Sequence, residues 1–354
     1  MTPWLTQEKI EHLWKVDRME SFDDPFTEAE LRERVESEIA LYQELNPVAI
    51  VIGFTLSVTI SARAAKIPLV YVMPFALTRP FLEAGLATFP DAFDYPFLRI
   101  IPRKILDRLT NYLLLHTKLW IKPFEKVAKD FGVRPPERLV DIYEGDFNLV
   151  TDIPEITGVK ELPENWHYVG PIFAHLEGDI PPELQNLPHD RPVIYCALGS
   201  SANRDILKKV IESFKDTPYL VIAPVKAHIQ NQGVRVPENV WVYDWLPAHK
   251  VNPLADIAVI HGGQGTVQTA CASGTPFVGI GLQPEQESNI DPIVRLGCAI
   301  RIRKHRLSRK TLLAAIEQLL SDATARQKAK EIQKLFMPWN GAKNSANFLK
   351  QKFG

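Results

Sequence analysis

Residues 261–266, His-Gly-Gly-Gln-Gly-Thr, put a titratable ring beside three glycines in one short turn. Glycine lets backbone N–H groups come close to a ligand. A helix expected to start near Thr266 would add free N–H groups and the positive end of its dipole, which together suit a phosphate. A second polar knot, Pro284-Glu285-Gln286, follows further along the chain. Two acceptor-rich side chains side by side suit a polyol. Each feature also has a plain structural reading: a strand–helix turn, a satisfied strand-end histidine and a solvated loop pair. The turn fits neither the P-loop, since it lacks Gly-Lys-Ser/Thr, nor the GxGxxG dinucleotide fingerprint.

Such residues need a scaffold to converge. The second half of the chain alternates apolar runs with helical patterns: "VIYCALGSS", "RDILKKVIESFKD", "PYLVIAPV", "VWVYDW", "PLADIAVIHGG", "GTVQTACASG", "PFVGIGL", "NIDPIVRLG", "CAIRIR" and "SRKTLLAAIEQLLSD". Gly274 and Gly297 should close two of these helices, and Ser308 should cap another. The alternation predicts a parallel, doubly wound sheet. Ligands of such sheets bind beyond the carboxyl ends of the strands, where strand order reverses. Four strand ends carry polar or glycine-rich turns: Gly199-Ser200-Ser201, Asp244-Trp245, His261-Gly262-Gly263 and Pro284-Glu285-Gln286.

The first half also reads as α/β. Thr27 with Glu30 forms a capping-box pattern ahead of Leu31, Val35, Ile39 and Tyr42 at helical spacing. Buried strands are expected at 47–54 and 67–73, flanking a helix, with further strands at 147–152 and 167–172. Residues 95–131 read as an amphipathic helical region interrupted by Pro102 and Pro123; residues 95–126 hold seven Lys/Arg and two Asp/Glu. That face is either a solvated one or a basic, aromatic surface that meets lipid. Low periodicity and high Pro/Asp/Glu content mark 176–190 as a linker. The expected division is therefore 1–175, the linker 176–190, a domain over 191–338, and a last helix over 339–354.

Composition narrows the class. The 354 residues are 45% hydrophobic and 23% charged with a formal net charge of -1, which is ordinary for a globular protein and points to no nucleic-acid partner. Three scattered cysteines, Cys196, Cys271 and Cys298, give neither a disulfide framework nor CxxC metal spacing. A cytoplasmic location is expected, with peripheral membrane contact still open.

Residues 240–289 resemble the donor-binding region of GT-B nucleotide-sugar glycosyltransferases, above all the bacterial natural-product (macrolide) type related to UDP-glycosyltransferases. The matching pieces are Trp245-Leu246-Pro247, "HGGQGT" 16 residues after the tryptophan, Gly274 with Pro276, Glu285-Gln286, and Asn289. "YVGPI", "LGSS" and the C-terminal "NGAKNSANFL" extend the likeness more loosely. The resemblance implies two Rossmann-like domains, an acceptor side and a donor side, with the last helix crossing back to the first. It implies that Trp245 lies against the base. Ser200 or Ser201, Gly263, Gly265 and Thr266 would hold the diphosphate, and Gly199, Leu246, Gly262, Gln264, Thr269 and Asn289 would also belong to the donor site. Glu285 and Gln286 would bind the sugar hydroxyls, and His261 would contact the leaving phosphate. The implied reaction moves a sugar, with inversion and without a metal or other cofactor, to a hydroxyl of a small-molecule or lipid-like acceptor.

Two departures from the family pattern stand out. The likeness begins late, so the first domain is expected to be N-terminally incomplete; the family's general-base histidine has no counterpart, and His12 lies in no comparable context. Where many UDP-sugar enzymes carry a glutamate for the ribose hydroxyls, this chain has Thr269, as do several relatives that use dTDP-sugars. Both UDP-sugar and dTDP-sugar donors therefore remain open. The alternatives to transfer are a non-catalytic nucleotide-sugar-binding protein and a UDP-sugar 2-epimerase.

Overall fold

A computed structural model describes residues 5–17, 19–174, 178–188, 190–198, 204–230 and 233–354. Gly199, Ser200 and Ser201 lie outside the described residues, so their expected part in the site has no structural account. The chain divides into two compact units, Met1–Gly170 with Asn340–Gly354, and Pro171–Trp339.

The first unit is built on a four-stranded parallel sheet in the order β1 (Ile50–Ile52), β2 (Leu69–Met73), β3 (Phe147–Val150), β4 (Trp166–Tyr168). Helix Glu28–Leu45 starts as its sequence dictates. Thr27 Oγ1 accepts from Glu30 N, and the Glu30 carboxylate accepts from Thr27 N. Its buried face, Leu31 and Val35, packs with Ile60, Phe124 and Val127. Near the start of the chain, Gln7–Asp17 forms a helix. The last helix, Gly341–Phe353, lays Phe348, Leu349 and Phe353 against Val70, Leu149 and Val169, and Asn344 Nδ2 donates to Val169 O at 2.8 Å.

The second unit holds six parallel strands: β5 (Val193–Ala197), β6 (Leu220–Ala223), β7 (Val240–Val242), β8 (Ile257–Ile260), β9 (Phe277–Gly279) and β10 (Ala299–Arg301). Their spatial order is β10-β9-β8-β5-β6-β7. β5, β6 and β8 are buried along their whole length, which explains their unbroken apolar runs. Helices close the two faces around a core that includes Val210, Ile211, Phe214, Val259, Ile280 and Ile316.

Within 176–190, expected as a linker, the described residues group with the second unit, and Pro182–Gln185 is a helical turn with Leu184 buried. One expectation needs correction. Pro284-Glu285-Gln286 is not a loop but the first turn of a helix over Pro284–Leu296. Proline at the first helical position needs no N–H partner there. Residues 284–289 are Pro and polar side chains only, so the apolar spacing that marks the helix begins at Ile290 and leaves its true start unmarked.

Candidate functional site

The chain leaves β5 toward β6 and β7, then returns to lay β8 on the other side of β5. Strand order therefore reverses between β5 and β8, and the ends of these two strands meet: Ala197 pairs with Ile260. His261 follows at once. Its Nδ1 lies 3.4 Å from the Ala197 carbonyl oxygen, across the switch point. A carbonyl can only accept, so Nδ1 carries the proton and Nε2 of the neutral ring keeps its lone pair. Burial pulls the imidazole below the ordinary histidine value, and the bond to Ala197 opposes that shift.

The glycines have separate reasons. Gly262 has φ +89°, and a Cβ there would lie 2.5 Å from Ile290 Cδ1 and 2.7 Å from Gln286 O. The turn thus packs directly on helix Pro284–Leu296. A Cβ on Gly263 would lie 2.5 Å from His261 Nε2. At Gly265 a Cβ would meet nothing within 4 Å, so packing does not require glycine there. What its missing side chain does is keep the start of helix Gln264–Ser273 open. In that first turn Thr266 Oγ1 donates to Gly263 O at 2.8 Å, and Thr269 Oγ1 donates to Gly265 O at 2.6 Å. Gln264 is half-buried beside them.

Asn289 joins the two halves of the site. Its Nδ2 donates to Gly262 O at 3.1 Å and to Glu285 Oε1 at 2.5 Å, fixing the carboxylate relative to the glycine turn. Gln286 has a different setting from the one expected of a sugar ligand. It is only 2% exposed; its Oε1 accepts from Leu282 N at 3.0 Å and its Nε2 donates to Gln283 Oε1 at 2.7 Å. These bonds close the entry to the helix, and Glu285 is left as the more open of the pair.

A charged brace behind this helix went unseen in the sequence. Arg301, at the end of β10, reaches both Asp291 oxygens at 2.7 Å and Glu287 Oε2 at 3.3 Å, and all three side chains are largely buried. The only signal was an arginine alternating with apolar residues in "CAIRIR". Glu287 and Asp291 stand one turn apart on one side of this helix, so the brace ties that side to β10, while Glu285 projects from nearly the opposite side.

Trp245 lies just past β7 and is 47% exposed, whereas Leu246 beside it is buried. The main chain at Gly178 runs against the indole: a Cβ there would be 2.7 Å from Cζ3. Lys250 Nζ donates to Gly178 O at 2.8 Å, and Tyr243 Oη donates to Glu183 Oε1 at 3.0 Å, so residues 178–183 are held along this strand end.

Two parallel-sheet α/β units, with a histidine–glycine turn at the switch point of the second, have the architecture of GT-B glycosyltransferases. Solved structures agree on the fold. A kitacinnamycin glycosyltransferase superposes with TM-score 0.69 at 18% identity, covering 100% of this chain and 85% of that one. The glycosyltransferase VinC, solved in complex with dTDP, gives 0.64 at 16% identity, covering 98% and 82%. Residues 208–337 match the family described as erythromycin biosynthesis protein CIII-like, C-terminal domain. A PGL/p-HBAD biosynthesis glycosyltransferase of Mycobacterium tuberculosis (strain ATCC 25177 / H37Ra) is 31% identical over 317 residues, 87% of this chain and 71% of that protein. A PGL/p-HBAD biosynthesis rhamnosyltransferase of Mycobacterium bovis (strain BCG / Pasteur 1173P2) is 29% identical over 308 residues, 86% and 67% of the two chains. The chain belongs to this family of macrolide-type nucleotide-sugar glycosyltransferases.

Proposed function

We propose that the protein transfers a sugar from a pyrimidine nucleoside-diphosphate sugar to a hydroxyl of a small-molecule or lipid-like acceptor, with inversion and without a metal ion. The observation that carries this reading is the position of His261, bonded across the switch point and set beside an open helix start, with Glu285 tied to the same turn through Asn289.

The diphosphate lies at the start of helix Gln264–Ser273, where Gly263 and Gly265 let the main chain be approached closely and the helix dipole favours negative charge; Thr266 N already donates to Gly263 O at 2.9 Å, so Thr266 borders the site. By the family likeness, Ser200 or Ser201 would serve the same diphosphate. Trp245 offers the uncovered part of its indole to the base, beside the main chain of Leu246. Glu285 accepts from sugar hydroxyls, while Gln286 and Asn289 hold the turn that presents it. The acceptor oxygen attacks the anomeric carbon from the face opposite the phosphate. The bond from carbon to the phosphate oxygen breaks with both electrons leaving on the nucleotide, and the configuration inverts. Charge growing on the departing diphosphate is offset by the helix start and by His261, a preorganised arrangement of dipoles. The acceptor proton passes to a base outside the residues assigned here.

Thr269 bears on the donor. Its hydroxyl turns back to Gly265 O, and it has no carboxylate with which to grip two ribose hydroxyls. This favours a deoxyribose donor, a dTDP-sugar. The VinC complex with dTDP supports the same choice. We place the protein in the cytoplasm, where its three buried, unbridged cysteines suit a reducing medium. Among the described residues no helix is long and apolar enough to cross a membrane.

The test is transfer from radiolabelled UDP- and dTDP-sugars to a panel of phenolic and lipid-like alcohols, with His261→Ala alongside. Labelled product that depends on His261 supports the reading. Donor binding without product on any acceptor would instead support a nucleotide-sugar-binding protein.

A further inference from the structure

Of the 21 large apolar side chains exposed among the described residues, eight fall between residues 95 and 113. Helix Arg103–His116 turns Leu106, Thr110 and Asn111 inward. Its rotation is fixed by Asn111, whose Nδ2 donates to Ala87 O at 2.7 Å and whose Oδ1 accepts from Ala87 N at 3.0 Å. Ile105, Leu109, Tyr112 and Leu113 stand at i, i+4, i+7 and i+8, so they form one outward stripe. The preceding helical turn, Pro96–Ile100, extends the stripe with Ile100 and with the stacked rings of Tyr95 and Phe97, 5.8 Å apart. Ile100 is 86% exposed and Phe97 67%, so these side chains protrude rather than line a pocket for a small molecule.

Charge identifies the occupant. Lys104 and Arg108 sit one turn apart along the flank of the stripe, and neither has an ion-pair partner among the described residues. Like charges at i and i+4 oppose helix formation, so this pair is compensated from outside the chain or not at all. The surrounding residues 95–126 carry seven Lys/Arg against two Asp/Glu. A second copy docking on this face would bring the same cations together. Tyr95 and Tyr112 join apolar rings to polar tips, as suits a boundary between water and hydrocarbon.

We propose that this face docks the protein on the surface of an anionic lipid bilayer. The stripe enters the headgroup boundary, while Lys104 and Arg108 meet lipid phosphates. The proposal does not depend on sugar transfer, and its test does not measure it.

The 354-residue chain is co-sedimented with vesicles of phosphatidylcholine alone and of phosphatidylcholine mixed with phosphatidylglycerol. Binding to the anionic vesicles that weakens in high salt is expected. The variant K104Q/R108Q should lower that partitioning roughly thirtyfold, from the usual surface contribution of two cations. The variant I105S/L109S should lower it by about tenfold or more through lost apolar burial. Circular dichroism and thermal unfolding check that both variants fold, and the charge variant alters only the surface, so it keeps the test open if the other misfolds. The proposal is overturned if the wild-type chain ignores anionic vesicles, if it binds both vesicle types equally and the charge variant changes nothing, or if it runs as a dimer that I105S/L109S makes monomeric.

Discussion

The Gly263 main chain lies so close to the His261 ring that one added methyl group would reach within 2.5 Å of Nε2. Glycine at 263 is therefore required by the imidazole, not by the backbone, whose φ of −57° suits any residue. Gly263→Ala should fold, with a stability change under about 1 kcal/mol, and should displace the ring from the diphosphate. The expected loss is about tenfold or more in kcat/KM, the size of a weakened transition-state contact. Gly262→Ala contrasts with it: at φ +89°, with the Gln286 carbonyl 2.7 Å from the new atom, it should cost about 1–3 kcal/mol of stability. Thermal unfolding and steady-state kinetics on the two variants separate these effects. If Gly263→Ala were the one that unfolds, the assignment would be wrong.

His261 should also set a pH dependence. Its folded-state value lies below the ordinary one, so in the window between the two the unfolded chain binds more protons than the folded chain. The sign follows: stability is full above about pH 6.5 and declines as the pH falls through that value. His167 shifts the same way, through burial and Lys352, so His261→Gln should remove only part of the decline. An incoming diphosphate reverses the local field and favours the imidazolium. Nucleotide binding at neutral pH should then take up as much as about one proton. Calorimetry in two buffers of different ionisation enthalpy measures it, and uptake that persists in His261→Gln would assign the proton elsewhere.

Asn289 is the tie between Glu285 and the glycine turn, so its loss should be felt at the sugar more than at the nucleotide. Asn289→Ala should raise the KM for the sugar donor by roughly fivefold to tenfold, the worth of one or two hydrogen bonds. Affinity for the free nucleoside diphosphate should hardly change. Equal losses in both would show that Asn289 serves the phosphate site instead.

Arg301 balances two carboxylates that have little access to water. Arg301→Met leaves Glu287 and Asp291 buried without their cation and should cost about 3–5 kcal/mol. The triple change to Met with Gln at 287 and Asn at 291 should recover much of that loss. Denaturant unfolding of the pair tests the idea, and a single variant as stable as the wild type would remove the brace from the account.

What could be read from the sequence was what is decided locally. Thr27 and Glu30 reciprocate across a single turn; Gly274 and Gly297 each end a helix in the left-handed region; β5, β6 and β8 are buried throughout and so read as strands. Pro284 as a helix start was missed because residues 284–289 carry no apolar side chain to show helical spacing. The approach of His261 to Ala197 could not be read from spacing, since it depends on β8 lying beside β5 after the chain has visited β6 and β7. The Arg301 brace was hidden for a related reason: its three members become neighbours only when β10 lies beside the helix. That the Gln286 amide bonds to its own helix start could not be read from residue type, which suits a sugar equally well.

The central claim is that the turn at 261–266 holds a pyrimidine nucleoside diphosphate, and thermal unfolding in saturating UDP, dTDP and GDP tests it most directly. At about 100 times the dissociation constant, a ligand of the folded state adds about 2.7 kcal/mol. We expect a clear rise in the melting temperature with dTDP or UDP, larger for dTDP, that is absent with GDP and lost in His261→Ala. The same rise with all three nucleotides, or with none, would contradict it.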